Sequence, residues 1–325
     1  MNAARNQDPR VAAAAPGGGA SEGGVAIRVR GLRKRYGDVE AVRGIDLTVR
    51  TGEIFAFLGP NGAGKTTTVE TLEGYRHRDA GEAEVLGSDP ARPAAGWRAR
   101  IGVVLQESQP EAELTVEECV SLYAGYYPRP RPVGETLELV GLADRRAARC
   151  GQLSGGQRRR LDVALALIGD PELVFLDEPT TGFDPAARQS AWQVIAGLRD
   201  LGKTIFLTTH YMEEAEHLAD RIAVIAAGRI VAEGAPATLG GRDTGASVIS
   251  FTLPSGLSAD DLPPAVAAAV TGSTGGKVEA HATSPLPMLG ALAAWAQARG
   301  ADLPDLQVLR PTLEDIYLQL TRESR

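Results

Sequence analysis

The sequence predicts an α/β domain on a largely parallel sheet, followed by a small α+β domain. Three observations predict it. Strand-like runs at Ile54–Leu58, Leu173–Pro179 and Thr204–Thr209 alternate with helical segments, the pattern of a sheet crossed by helices. A glycine-rich stretch, Gly59–Thr67, joins the first of these runs to a helix. Residues 234–245 are rich in Gly, Ala, Pro and Asp and mark a boundary. Beyond them come two strand-like runs, VISFTL and KVEAHAT, and two helical ones, MLGALAAWAQARG and PTLEDIYLQLT.

In chain order, residues 1–24 are rich in Ala and Gly, lack a hydrophobic signal core and read as a disordered leader. From Val25 to Glu53 two strands flank a turn at Tyr36, Gly37 and Asp38. Ile45, Leu47 and Val49 alternate with polar positions, as in a half-exposed antiparallel strand. A short strand is expected near Glu82–Leu86 and an apolar one at Ile101–Leu105, ending in Gln106. Residues 109–152 read as a helical insertion, with helical spacing in LTVEECVSLYAGYY and GETLELVGLADRRAA on either side of PRPRP. The sheet resumes at LVFLDEP, whose unbroken apolar run suits a parallel strand buried on both faces. A helix over Pro185–Leu201, the strand that leads into His210, a helix over Met212–Ala219 and strands at Ile222–Ile225 and Arg229–Val231 complete a first domain, 25–238. The second, 239–325, carries no site motif.

Composition narrows the function. With 325 residues there is ample material for a buried core, and 43% hydrophobic with 23% charged content reads as a soluble globular protein. A net charge of −7 lacks the electrostatic footprint of a nucleic-acid binder, so no nucleic acid is expected as a partner, and the basic run Arg158–Arg160 reads as a solvated helix face. Cys119 and Cys150 fit no metal or redox spacing and read as packing residues of a reducing compartment. No run approaches the ~20 apolar residues needed to cross a bilayer. A cytoplasmic location follows, and any membrane role must come through a partner.

The stretch Gly59, Pro60, Asn61, Gly62, Ala63, Gly64, Lys65, Thr66, Thr67 matches G-x-x-x-x-G-K-[ST] in its required context, strand before and helix after. Its glycines let the backbone turn tightly and aim N–H groups at an anion, and the helix start adds a positive dipole end. Lys65 is placed to neutralise β/γ-phosphate charge, and the Thr66 hydroxyl to ligate Mg²⁺. Asp177 and Glu178 end a buried strand at the same sheet edge, where Asp177 suits the metal and Glu178 the general base. His210 ends a third strand and is placed to face a γ-phosphate. Gln106 ends a fourth and is placed to report Mg²⁺ or nucleotide to the helical insertion. Tyr36, beside its turn, is a candidate to stack on an adenine ring. Ser154, Gly155, Gly156 and Gln157 open a helix, a second anion site in a chain that already has one.

Together, GPNGAGKTT, Gln106, LSGGQ, VFLDEP, TGFDP and His210 resemble, in order and approximate spacing, the nucleotide-binding domains of ABC transporters; the resemblance covers about residues 25–235. It implies the ABC ATPase version of the P-loop NTPase fold, with an antiparallel β subdomain and a helical subdomain, and ATP and Mg²⁺ as cofactors. It also implies a head-to-tail dimer with each ATP held between one subunit's P-loop and the other's LSGGQ. The ligand of Ser154 and Gly156 is then the partner's γ-phosphate, and Asp184 is the acid that crosses the interface. Phe183 stands where Leu is more usual, so altered packing is expected there. LEGYR, LSGGQRRRLDVALAL and the terminal PTLEDIYLQLT resemble the ATPase subunits of ABC-2-type exporters, including daunorubicin-resistance and related antibiotic-export ATPases. That implies a separate membrane permease docking on residues 109–152 and a peripheral position at the cytoplasmic face of the membrane. The rival from another class is a soluble ABC ATPase acting on nucleic acid or ribosomes; a single cassette, isolated cysteines and the acidic balance speak against it. LSGGQ disfavours a P-loop kinase, and the filled catalytic positions disfavour a regulatory cassette.

Overall fold

The computed structural model describes residues 24–104, 110–242, 246–254 and 256–322. The chain opens with β1 (Val25–Tyr36), β2 (Val39–Arg50), β3 (Ile54–Leu58), α1 (Lys65–Leu72), β4 (Ala80–Val85) and β5 (Ile101–Val104). Helices α2 (Val116–Ala124), α3 (Val133–Leu139) and α4 (Gly155–Leu167) precede β6 (Leu173–Asp177). Next come α5 (Pro185–Asp200), β7 (Thr204–Thr209), α6 (Met212–Leu218), β8 (Arg221–Ala226) and β9 (Arg229–Gly234). The remainder holds β10 (Ser247–Thr252), α7 (Pro264–Ala267), β11 (Val270–Thr274), β12 (Lys277–Ala282), α8 (Pro285–Arg299), β13 (Gln307–Leu309) and α9 (Leu313–Arg322).

Six strands form the central sheet in the order β5-β6-β7-β3-β8-β9. All neighbours run parallel except β8 and β9, which are antiparallel. The all-buried IFAFL of β3 and TIFLTT of β7 explain the parallel core, because strands covered on both faces cannot alternate with polar residues. Phe206 fixes their relative position: its ring lies 5.7 Å from each of Phe55, Phe57 and Phe175. The register then sets Leu58 beside Thr209, and Asp177 beside Thr208. The functional ends of three strands therefore finish level.

A three-stranded antiparallel sheet, β2-β1-β4, covers one side of this body, sharing a core that includes Val29, Leu47, Phe57 and Trp97. Helices α2, α3 and α4 pack with the opposite face around Val116, Leu137, Leu161 and Leu176. Cys119 and Cys150 meet in that second core, where burial pushes the Cys119 thiol up to about 12 and keeps it inert at neutral pH.

Residues 247–309 build a four-stranded antiparallel sheet, β11-β12-β10-β13, two strands more than the sequence pattern suggested. Val270–Thr274 reads as part of an apolar run and a Gly-rich turn, and the three residues of β13 are all exposed, so neither shows the alternation that marks a strand. This sheet packs with α7 and α8 around its own core of Phe251, Val266, Val278 and Leu292. The last helix does not share that core. Leu313 and Tyr317 of α9 pack with Leu58 of β3, Ala215 of α6 and Val224 of β8.

Candidate nucleotide site

Local physics forms the loop between β3 and α1. Gly62 and Gly64 take φ of +78° and +106°, backbone open to glycine at little cost. Gly59 and Gly64 also lie against backbone: a Cβ added to them would stand 2.4 Å from the Ile225 carbonyl oxygen and 2.5 Å from that of Ala41. The Lys65 side chain folds back into the loop, its Nζ donating to the carbonyls of Gly59 (2.6 Å) and Pro60 (3.1 Å). Burial lowers the pKa of this lysine, while Glu178 and Asp177 oppose the shift by attraction. Above the loop opens a cleft of about 820 Å³, into which Tyr36, Asn61, Thr66, Thr67, Asp177, Glu178 and His210 all project their surfaces.

At the end of β6, the Asp177 carboxylate accepts from the Thr208 hydroxyl of the neighbouring strand. Glu178 adopts φ +46°, a left-handed conformation uncommon for a non-glycine residue. That conformation is held by its own N–H, which donates to the carbonyl and hydroxyl of Thr208, both at 3.1 Å. The Glu178 carboxylate accepts from Thr181 Oγ1 at 3.2 Å and lies 3.3 Å from His210 Nδ1. The base candidate and the γ-phosphate sensor candidate are thus in contact. Buried Glu214 of α6 accepts from Thr180 (2.8 Å) and Trp192 (3.1 Å), and burial raises its pKa. It ties the turn after Glu178 to the helix after His210.

A second cleft, of about 780 Å³, lies at the start of α4 and is lined by Ser154, Gly155, Gly156, Asp184 and again Glu178. Ser154 caps the helix: its hydroxyl accepts from the Gln157 N–H (3.3 Å) while the Gln157 side chain accepts from the Ser154 N–H (3.1 Å). Asp184 caps α5 in the same manner, accepting from Ala187 N–H at 2.8 Å. Capping leaves the first helical N–H groups of α4 facing outward. Tyr36 stands 40% exposed at the rim of the first cleft, with the Arg76 guanidinium 5.2 Å from its ring centre. Gln106 lies outside the described residues. Among the described residues no three His, Cys, Asp or Glu side chains are grouped so as to hold a metal ion by themselves. A Mg²⁺ held by Asp177, Thr66 and Gln106 would draw its remaining ligands from phosphate and water, the usual arrangement for this hard cation.

The structure corrects one reading and adds two residues. Arg159 is not part of a solvated face. Its side chain is 11% exposed, and its guanidinium donates to the carbonyls of Asp177 (2.6 Å) and Pro179 (3.2 Å), fixing α4 to the end of β6. Its position one turn into a helix beginning SGG was the available signal: the side chain points back toward the helix start. Glu73, at the end of α1, is 5% exposed and hydrogen-bonded to no described side chain. Burial first, then repulsion from Asp177 and Glu70, pushes its pKa up to about 8.

The profile of the family described as ABC transporter matches residues 42–181, and that of an ABC-transporter-like C-terminal domain matches 247–312. The daunorubicin resistance ATP-binding protein DrrA3 of Streptomyces coeruleorubidus is 41% identical over 311 residues, 92% of this chain and 97% of that protein. The chain belongs to the ABC transporter ATPase family. Another relative, Nod factor export ATP-binding protein I of Burkholderia orbicola, is 40% identical over 302 residues, 91% of this chain and 96% of that protein. Among solved structures, the ATP-binding cassette MJ1267 in its ADP conformation aligns with a TM-score of 0.58 and 26% identity, covering 65% of this chain and 91% of its own. The cassette MJ0796, a dimer bound to ADP and Pi, matches in fold at 24% identity and a TM-score of 0.58. The motif-based resemblance and the α/β cassette architecture are borne out.

Proposed function

We propose that this cassette is the motor subunit of an exporter, closing head to tail with a second copy on two Mg·ATP and pulling on a separate ABC-2-type permease. The observation that carries it is the pair of clefts that share Glu178. One holds a lysine and a glycine loop for phosphate. The other is lined by the start of α4 and by Arg158, Arg159 and Arg160 and has no phosphate loop of its own, so in this reading its phosphate arrives from outside the chain. In the closed dimer Gly59–Thr67 and Lys65 bind the β- and γ-phosphates, Tyr36 stacks on adenine, and the partner's Ser154, Gly155 and Gly156 meet the γ-phosphate. Glu178 accepts a proton from the attacking water, and His210, already 3.3 Å from Glu178, holds the γ-phosphate in line. Thr66, Asp177 and Gln106 would hold Mg²⁺, which neutralises phosphate charge when bound. Hydrolysis removes the bridge between subunits, and the dimer reopens.

Residues 25–238 form the cassette in this proposal and 239–325 the accessory part. The permease docks on the helical insertion, 109–152, where a cleft of about 340 Å³ lies between α1 and α2, lined by Glu73, Tyr75, Tyr123 and Tyr127. No helix among the described residues is long and apolar enough to cross a membrane. The subunit would sit peripherally at the cytoplasmic face. Relatives named for daunorubicin resistance favour antibiotic or multidrug export; those named for Nod factor export favour a second reading, lipid or polysaccharide export by the same machinery.

Mixing Ser154→Ala subunits with Lys65→Ala subunits tests the composite site. Half of the sites in a mixed dimer then carry both lesions and half carry none, so recovered ATPase activity supports the proposal. Activity no higher than the average of the two mutants would sink it.

A further inference from the structure

The last helix makes an unexpected return. After a sheet with its own core, the chain brings α9 back onto the cassette, with Leu313 1% and Ile316 8% exposed. Leu313, Ile316, Tyr317 and Leu320 recur at helical spacing and form the face turned inward. Several ties hold it. Thr312 caps the helix through Asp315, with Thr312 N–H donating at 2.8 Å and Asp315 N–H returning a bond at 3.1 Å. Arg242 donates to the Pro311 carbonyl at 2.8 Å and pairs with Glu216 of α6 at 2.7 Å. Gly240, at φ +61°, lies so close that an added Cβ would stand 2.5 Å from Ile316 Cγ2.

On that inward face Tyr317 differs from its apolar neighbours. It lines the phosphate-loop cleft itself, the only residue beyond Gly234 among those described there. It packs against a cluster that includes Leu58, which adjoins Gly59, and Ala215, on the helix that follows His210. These flank the phosphate end of the cleft. Half-buried tyrosines ordinarily pair their hydroxyl. The Tyr317 hydroxyl has no hydrogen-bond partner among the described residues, while the Thr321 hydroxyl donates to the Tyr317 backbone carbonyl at 2.8 Å. Burial raises the phenol's pKa, so it remains a proton donor at neutral pH.

We propose that Tyr317 is a nucleotide-contacting residue delivered by α9, its hydroxyl donating to a β- or γ-phosphate oxygen of the ATP bound over Gly59–Thr67. This rests on the reading of that cleft as the ATP site and extends it, because a helix outside the matched cassette and C-terminal profiles becomes part of the nucleotide pocket. Displacing α9 then weakens the hold on ATP, which gives the accessory part a direct route to the motor.

The test is equilibrium binding of AMP-PNP with Mg²⁺, and of AMP, to the full chain as wild type, Tyr317→Phe and Lys65→Ala. Phe keeps the ring and its packing, and an unchanged melting temperature verifies it. Loss of one hydrogen bond to a charged group predicts about a tenfold weaker AMP-PNP affinity in Tyr317→Phe, with AMP changed less than about twofold. Wild-type AMP-PNP affinity in Tyr317→Phe, while Lys65→Ala loses it, makes Tyr317 a mere wall and overturns the proposal. Equal losses for AMP and AMP-PNP overturn the phosphate assignment. If Lys65→Ala also binds like wild type, the reading of the cleft itself is what fails.

Discussion

Two glycine-bearing helix starts in this chain look alike in sequence and differ in space. The loop before α1 is crowded: Gly59 and Gly64 lie against the carbonyls of Ile225 and Ala41, and Lys65 is buried at 8% exposure. The start of α4 is open: nothing stands within 4 Å of a Cβ added at Gly155, and the nearest atom at Gly156 is Ala187 Cβ at 3.9 Å. Glycine in the first place is required by the chain itself. In the second place nothing among the described residues requires it, which fits the proposal that its smallness serves a ligand from outside. In the proposed dimer, one start is the half-site that carries Lys65 and the other is the surface that meets the partner's nucleotide.

The largest expected effect falls on the residue both clefts share. Glu178→Gln removes the base and should lower ATP turnover by roughly 10²–10⁴-fold, with ATP binding retained and the ATP-bound dimer prolonged on size exclusion. Wild-type turnover in that variant would take the base role from Glu178. Next, Lys65→Ala should weaken ATP binding by about tenfold or more in a fluorescence or calorimetric titration, since a charge-assisted contact to phosphate is lost.

The glycines sharpen the contrast directly. Gly59→Ala should destabilise by about 1–3 kcal/mol, read as a lower melting temperature, because its methyl meets backbone. Gly155→Ala should leave melting and ATP affinity unchanged, or raise stability by up to ~1 kcal/mol as helix propensity predicts, yet lower turnover. Full turnover in Gly155→Ala would break the idea that a ligand seats on α4.

The effect most remote from the two helix starts is a pH dependence at the far end of α1. Glu73 is raised from an unfolded value of 4.5 to about 8, so the folded state binds the extra proton between those values. Its contribution is fully present below about pH 4.5 and is lost as pH rises through about 8. Glu73→Gln should therefore flatten stability across that window and be more stable than wild type near pH 8 in denaturant titrations. An unchanged slope from pH 5 to pH 8 would show that Glu73 is not held protonated.

Much of the site was legible because its chemistry depends on short contiguous segments. A loop that cradles phosphate must be built from neighbouring backbone N–H groups, and the acids after β6 follow a buried strand that its apolar run announces. The C-terminal strands β11 and β13 were not legible, since neither carries an alternating pattern. Arg159 read as solvated because charge on a helix usually is, and only the placement of β6 against α4 supplied the two carbonyls that bury it.

The sequence alone marked which groups are candidates to hold a phosphate and to activate a water against it, because residue type and spacing along strand–loop–helix units carry that chemistry. Tertiary structure decided what those groups face. Packing of Phe206 against Phe55, Phe57 and Phe175 levels the strand ends, so Glu178 and His210 meet 3.3 Å apart. Packing of α9 against Leu58 and Ala215 carries Tyr317 to the same cleft from the far end of the chain. Such contacts between residues remote in sequence follow from the burial of apolar surface between elements, which no local pattern encodes.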